Sequence, residues 1–277
     1  MSFYIQKTSG EKEIFDLNKL RTSLHQAGAK DTLIETIIHE IERLHPTSTK
    51  AIHGIAFSIL QEQEPHIAAR YNLRHALIEL GPAGFPFEQF VAQIFKAQGY
   101  TTKTDITVQG ACVEQEVDVI ATKEAEQIMV ECKYHHQIGM KVDIKVTLYV
   151  QARFEDIQKK NGFNQAWLFT NTKFTSEAIT YANCMKMKLT GWSYPSDNNL
   201  AHLIDKFGLH PITALTSLTN KEKRELMQAG LLLCRDAEKY RGELKNLGRS
   251  EDAIEKIIRE AHAICKINLS DAKNIQK

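Results

Sequence analysis

The chain has 277 residues, 43% of them apolar and 25% charged, with a formal net charge of +1. These are globular values with room for two or three domains. They exclude a global basic field that would draw polyanions by itself, and no apolar run is long enough for a membrane-spanning helix. The opening stretch MSFYIQKTSGEKEIFD lacks an apolar core and reads as untargeted. The five cysteines (112, 132, 184, 234 and 265) make no CxxC pair, so free thiols in a reducing cytoplasm are expected.

Four clusters of turn residues punctuate the chain: HPTST at 45–49, GPAGFP at 81–86, PSDNN at 195–199 and GLHP at 208–211. They divide it into three expected domains: 1–82, 83–207 and 208–277. The first opens with two short strands, FYIQK and EIF, around a TSGEK turn. Helical patterns follow in LNKLRTSLHQAG, DTLIETIIHEIERL, KAIHGIAFSILQEQ and HIAARYNLRHALIEL, with Gly28 and Pro46 as stops. In the second domain, FEQFVAQIFKAQG is an amphipathic helix with Phe87, Phe90, Val91, Ile94 and Phe95 as its stripe. Strands are expected at about 106–109, 114–121 and 127–134. A long helix over 141–160 would turn Val142, Val146, Tyr149, Val150 and Ile157 inward. AWLFT at 166–170 reads as a buried strand, Thr175 or Ser176 caps a helix over 176–187, and LTGWSY holds a last strand. The third domain is helical and rich in Lys, Arg and Glu.

The chemistry concentrates in VDVIATKEAEQIMVECKYHH, residues 117–136. Side chains alternate along a strand, so Glu116, Asp118 and Ile120 share one face, and Met129, Glu131 and Lys133 share one face of the next strand. Pairing these strands through the ATKEAEQ turn brings Asp118 beside Glu131 and Lys133. Two carboxylates with an ammonium suit a hard divalent cation, with Asp118, Glu131 and the backbone carbonyl of Cys132 as oxygen ligands. Such a cation would activate a water, and Lys133 would steer that water or meet charge developing on a phosphate. Glu88 sits at helical spacing from Val91 and Phe95, at the edge of the buried stripe, within reach of the same place. A plain half-exposed antiparallel strand shows the same alternation of charged and apolar residues.

FEQFVAQIFKAQGY, VDVIA, IMVECKYHH and AWLFTNTKFTSEAITYA together resemble Mrr-like restriction endonucleases of the PD-(D/E)xK superfamily, over about 85–194. The resemblance implies an α/β fold with a restriction-endonuclease-like αβββαβ core. It also implies catalytic roles for Asp118, Glu131 and Lys133, with Glu88 as the helix carboxylate. The implied activity is that of a type II/IV restriction-like deoxyribonuclease using Mg²⁺ or Mn²⁺. Where the family usually has a glycine-rich approach to its aspartate, this chain has EQEV. FTNTKFTSEA resembles the family's later strand-to-helix turn. Its hydroxyls and Lys173 could touch phosphates, or the turn could simply cap a helix.

YIQKTSGEKEIFDLNKLRTSL, STKAIHG and AARYNLR resemble the ATP-cone, a regulatory nucleotide-binding domain, over about 3–80. Lys7 and Lys19 could both meet a triphosphate, aided by helix N-terminal amides. The resemblance implies nucleotide contacts at Lys7, Glu13, Phe15, Lys19, Thr49 and Arg74. Lys7-Thr8-Ser9-Gly10 stands where the family often has Lys-Arg-Asp-Gly, and a docking or dimerisation surface is the alternative. No GxxxxGK[ST] occurs, so nucleotide would be a signal rather than fuel.

LKNLGRSEDAIEKIIREA has a helix, glycine turn, helix character and faintly resembles backbone-gripping DNA modules. A solvated face or dimerisation bundle competes with that reading. His135 and His136 point to opposite strand faces and suit one zinc ion poorly, and Trp167 reads as core. The functional expectation is a DNA endonuclease of restriction or defence type, regulated by ATP or dATP and acting as a homodimer or larger homo-oligomer without a membrane. The alternatives are a nucleotide-responsive DNA-binding regulator whose nuclease fold does not cut, and an RNA substrate.

Overall fold

In the computed structural model the described residues, 3–7, 10–81, 85–137 and 139–265, fall into two compact units. One unit is drawn from the chain before residue 77 and from residue 212 onward; the other spans 77–211.

The first unit begins with strands β1 (Tyr4–Gln6) and β2 (Lys12–Ile14), which pair antiparallel. Thr8 and Ser9 of the expected TSGEK turn lie outside the described residues. Helix α1 (Leu17–Gln26) starts where Asp16 accepts hydrogen bonds from the backbone N–H groups of Asn18 and Lys19. Helix α2 (Asp31–Leu44) ends at His45, whose left-handed backbone (φ 47°) turns the chain just before Pro46. Helix α3 (Thr49–Gln63) is capped by Ser48. The single helix expected over HIAARYNLRHALIEL is two, α4 (Pro65–Tyr71) and α5 (Leu73–Ile78), broken at Asn72. Leu24, Ile34, Ile37, Ile41, Ala56 and Leu60 are fully buried in one cluster, the packing that helical spacing in α2 and α3 predicts.

The second unit is built on α6 (Phe85–Ala97), β3 (Thr101–Gln109), β4 (Glu114–Lys123), β5 (Glu126–Lys133), β6 (Lys141–Val142), α7 (Ile144–Gln158), β7 (Gln165–Thr170), β8 (Lys173–Phe174), α8 (Ser176–Cys184), β9 (Lys188–Thr190) and α9 (Leu200–Phe207). Five strands form a sheet in the order β3-β4-β5-β7-β9. The first three run antiparallel, and β7 and β9 join parallel to β5. Helix α6 covers one face: the Phe95 ring lies 5.2 Å from Trp167 and 5.5 Å from Phe169. Leu168, between those two residues, points to the other face, where it joins Met129, Val150, Ile157 and Ala178 beneath α7 and α8. The expected αβββαβ order is therefore present, with a small parallel β6–β8 pair added. Thr175 caps α8 by accepting from the Ala178 N–H at 3.2 Å, and Trp167 is core, as expected.

The chain then returns to the first unit through α10 (Asn220–Gln228), α11 (Arg241–Asn246) and α12 (Glu251–Cys265), with 3₁₀ turns at Ile212–Ala214 and Cys234–Tyr240. Ile212, Leu215, Ile254 and Ile257 share a buried cluster with Ala69 and Ala76. The Thr213 hydroxyl donates to the Ala76 carbonyl at 2.6 Å, and Arg70 Nε to the Ile264 carbonyl at 3.1 Å. The tail end of the expected helical region, 266–277, lies outside the described residues. Among the described residues no helix is long and apolar enough to cross a membrane.

Helix α10 opens with a reciprocal capping box between Thr219 and Glu222. Arg249 clamps the same carboxylate through Nε at 2.6 Å and Nη2 at 2.7 Å. The Arg249 grip, followed by the Thr219 donors, holds the Glu222 carboxyl at about 2 against an ordinary 4.5. A depressed carboxyl contributes stability above its unfolded value and loses it as the pH falls through the folded one. Acid titration of thermal stability from pH 5 to 2 should therefore cost Glu222→Gln less than wild type, by on the order of 1–2 kcal/mol. Parallel acid curves for the two proteins would contradict this.

Candidate active site

Asp118 lies on β4 and Glu131, Cys132 and Lys133 on β5, in strands whose register pairs Val119 with Val130 and Ile120 with Met129. Asp118 Oδ2 accepts a 2.7 Å hydrogen bond from the Cys132 backbone N–H, which ties the aspartate to the strand that carries the other three. Glu88, in the first turn of α6, belongs to the same electrostatic neighbourhood. Burial first, then the charges of Asp118, Asp105 and Glu116, push its carboxyl up to about 7. Gln89, beside it, donates to Thr104 of β3 at 2.8 Å and fixes the helix start against the sheet.

The strict alternation expected of β4 fails at Asp118. Val117 and Ile120, three residues apart, belong to one buried cluster with Val150 and Ile157 of α7. The break faces Asp105 on β3, which takes φ 56° between the pairs Thr104–Val119 and Ile106–Val117. A left-handed residue in a strand re-aims its neighbours; here the irregularity sits directly opposite Asp118. The entry to β4 is set by Gly110 and Asp156. Asp156 accepts from the Cys112 N–H at 2.7 Å and from Gln115 Nε2 at 3.2 Å. A Cβ on Gly110 would meet Asp156 Oδ2 at 2.0 Å, so glycine supplies close approach here although EQEV lacks it.

Two features escape the strand pattern. Arg153 of α7 is buried at 8% exposure, and its Nη1 donates to Glu131 Oε2 in a short ion pair. Its Nε reaches Gln115 Oε1 at 3.3 Å, and its guanidinium lies over the Tyr149 ring at 5.2 Å. Tyr149, expected inward, is 58% exposed, with its ring on the outer side of that guanidinium. Arg153 is legible in retrospect as a charge on the Val146, Val150, Ile157 stripe, the same signal that marks Glu88. Asp105 and Glu116 add two further carboxylates; they are exposed strand residues with no signal beyond an ordinary solvent face.

Among the described residues, Lys133 and Arg153 are the cations that act on Asp118 and Glu131, and Arg153 acts also on Glu116. Burial raises Asp118, opposed by the Cys132 N–H and by Arg153 and Lys133. Burial and Asp118 push Glu131 up to about 7 despite Arg153. Asp105 raises Glu116. Burial, reinforced by Asp118 and Glu131, drives the Cys132 thiol well above its ordinary value. Crowded carboxylates, of which Glu88, Asp118 and Glu131 are partly buried, offer excess negative charge and hard oxygen donors that fit a divalent cation. Among the described residues no three His, Cys, Asp or Glu side chains form a ready-made metal cage.

The strand end beyond Lys133 is clamped. Asn171, itself buried, accepts from the His135 N–H at 2.9 Å and donates to the His135 carbonyl at 2.8 Å. The Tyr134 hydroxyl donates to the Ile78 carbonyl. His136 packs edge-on against the Tyr134 ring at 5.1 Å. The Thr170 and Thr172 hydroxyls, fully buried, lie 3.1 Å apart in one hydrogen bond, so the turn's inner hydroxyls are structural rather than open to a phosphate.

In the first unit the expected nucleotide contacts are partly gathered. Lys7 Nζ lies 2.7 Å from Glu13, whose carboxylate raises the lysine's pKa. The Thr49 hydroxyl donates to the Gln6 carbonyl at 3.3 Å, placing the start of α3 beside β1. Phe15 packs on Phe3 at 5.0 Å, and Lys19 is exposed and 3.8 Å from Asp16. Arg74 is half-buried on α5, where burial lowers its pKa. An open groove of about 550 Å³ between α2 and α3 is lined by Glu35, Glu40 and Glu62 among others; it includes none of the six and would repel a triphosphate.

Comparison with known proteins bears on the class of the second unit. Residues 83–193 match the restriction endonuclease family model Mrr_cat, and the chain carries a nuclease-type domain of that class, whose members generally use Mg²⁺ or a similar divalent metal. Residues 210–265 match a second model, "AF1548-like, C-terminal". An uncharacterized protein of Archaeoglobus fulgidus is 43% identical over 175 residues, 63% of this chain and 99% of the relative. A crystal structure titled as the protein of unknown function AF1548 has 41% identity and a TM-score of 0.56, covering 66% of this chain and 98% of that one. The chain belongs to this AF1548-like family.

Proposed function

We propose that the chain is a divalent-metal-dependent endonuclease of restriction or defence type that hydrolyses phosphodiester bonds in DNA. The observation that supports this reading is the hydrogen bond tying Asp118 to β5, the strand of Glu131 and Lys133, with burial raising Asp118, Glu131 and Glu88 together. Asp118, Glu131 and the Cys132 carbonyl would hold Mg²⁺ or Mn²⁺, with waters completing the shell. When bound, the ion lowers the pKa of a water and neutralises charge on the scissile phosphate. Lys133, exposed at the strand end, orients the attacking water and meets the negative charge that develops on phosphorus-bound oxygen. Glu88 accepts a hydrogen bond from a second water. The clamp of Asn171 on His135 keeps the end of β5 from drifting as substrate binds. A homodimer would supply the second site needed to cut both strands.

In the same reading ATP or dATP binds the first unit through Lys7, Glu13, Phe15, Lys19, Thr49 and Arg74 and regulates cutting. The proximity of β1, β2 and the capped start of α3 supports this. Millimolar dATP is expected to raise the melting temperature by about 2–4 °C per kcal/mol of binding linkage, and Lys7→Ala should abolish that rise. An unaltered melting curve would remove nucleotide from the account while leaving the nuclease untouched.

The nuclease reading is tested by incubating purified protein with methylated and unmethylated plasmid in Mg²⁺, Mn²⁺ or EDTA. Nicking or linearisation in metal alone is expected. DNA retention on a gel without cleavage in any metal would favour the non-cutting regulator instead.

A further inference from the structure

An arginine buried to 8% exposure is costly unless its charge is met and its donors are used. Arg153 meets the Glu131 charge and uses two of its donor nitrogens inside the candidate site, and the way it does so is one-sided. Its Nη1 takes only Oε2 of Glu131, while Nε goes to Gln115 Oε1 at 3.3 Å. A bidentate fork would have engaged both carboxylate oxygens. Among the described residues no hydrogen bond takes Glu131 Oε1, which is left for another partner.

The grip is also braced from behind. Gln115 donates through Nε2 to Asp156, one turn along α7 from Arg153, so the glutamine spans the strand and the helix. Asp156 in turn holds the Gly110 turn through the Cys112 N–H. The guanidinium of Arg153 lies over the Tyr149 ring at 5.2 Å. The guanidinium is therefore fixed by Gln115 and Tyr149 as well as by Glu131, and it can orient the carboxylate instead of merely following it.

Resting on the metal-site reading above, we propose that Arg153 is a positioning residue for metal binding. By holding Oε2 it fixes the Glu131 carboxylate so that Oε1 is presented to the cation shared with Asp118. The opposite arrangement, in which Arg153 competes with the ion for Glu131, makes the opposite prediction, because removing the arginine would then tighten binding.

The test measures Mn²⁺ affinity of the full chain by electron paramagnetic resonance of free Mn²⁺, without substrate. Far-UV circular dichroism and thermal melts establish folding. Outer-shell partners typically contribute about 10–100-fold in metal affinity, and Arg153→Met should weaken Mn²⁺ binding by about that factor. Arg153→Lys keeps a cation but cannot reach Glu131 and Gln115 in one plane, and should weaken it by about tenfold. It also serves if the Met variant does not fold. In a Glu131→Gln background the Arg153→Met change should add nothing, since the arginine acts through that carboxylate. Equal or tighter binding by folded Arg153 variants, beside an Asp118→Ala control that has lost the ion, overturns the positioning role alone. So does an undiminished Arg153→Met effect in the Glu131→Gln background. A wild-type protein with no Mn²⁺ site overturns the metal reading and this inference with it.

Discussion

Asp118→Ala is expected to lower DNA cleavage by about 10³-fold or more, roughly 4 kcal/mol of transition-state stabilisation, while leaving the fold intact. Among the described residues Asp118 has one hydrogen-bonding duty, accepting from the Cys132 N–H at 2.7 Å. Losing that bond leaves a half-buried backbone donor, a cost of about 1–3 kcal/mol that a sheet of this size should tolerate. Removing the carboxylate also relieves Glu131 and Glu88, both of which its charge pushes upward. The variant should therefore melt near the wild-type temperature yet fail to cut in Mg²⁺ or Mn²⁺. Lys133→Ala should behave alike, since this exposed ammonium makes no ion pair among the described residues that folding would miss. Undiminished cutting by both variants, with contaminating nuclease excluded, would refute the assignment.

Phe95→Ala should have the largest effect on stability, a loss of about 3–5 kcal/mol. Phe95 is fully buried on α6, edge-on to Tyr100 at 5.4 Å and to Trp167 at 5.2 Å, and close to Phe169. Its removal opens a cavity between α6 and the central strands, where rigid aromatic neighbours cannot collapse to fill it. Chemical denaturation should show a lower midpoint. Because α6 also carries Glu88, cleavage should fall with stability. A midpoint unchanged from wild type would mean that α6 does not pack on the sheet as described.

The candidate site is mostly legible from local pattern because the residues proposed for it violate local pattern. Asp118, Glu131 and Lys133 stand among residues that bury, and Glu88 borders the Phe87, Phe90, Phe95 stripe. The same rule, applied to α7, would have found Arg153 three residues beyond Val150. Tyr149 passes for a core position in that helix because an aromatic ring at helical spacing looks apolar, yet it lies outside, over the guanidinium. The irregularity at Asp118 is not legible, because it arises from a left-handed Asp105 on a neighbouring strand rather than from β4 itself. Nor does periodicity show that Ala69 and Ala76 share a core with Ile212, Leu215 and Ile254. Small residues carry little pattern, and the partners are more than a hundred residues apart.

The account turns on one cation held jointly by Asp118 and Glu131, and anomalous diffraction from a Mn²⁺-soaked crystal tests it most directly. The prediction is a manganese peak in contact with both carboxylates, close to the Cys132 carbonyl, that disappears in Asp118→Ala. Manganese bound elsewhere, or no peak at concentrations that support cleavage, would contradict it.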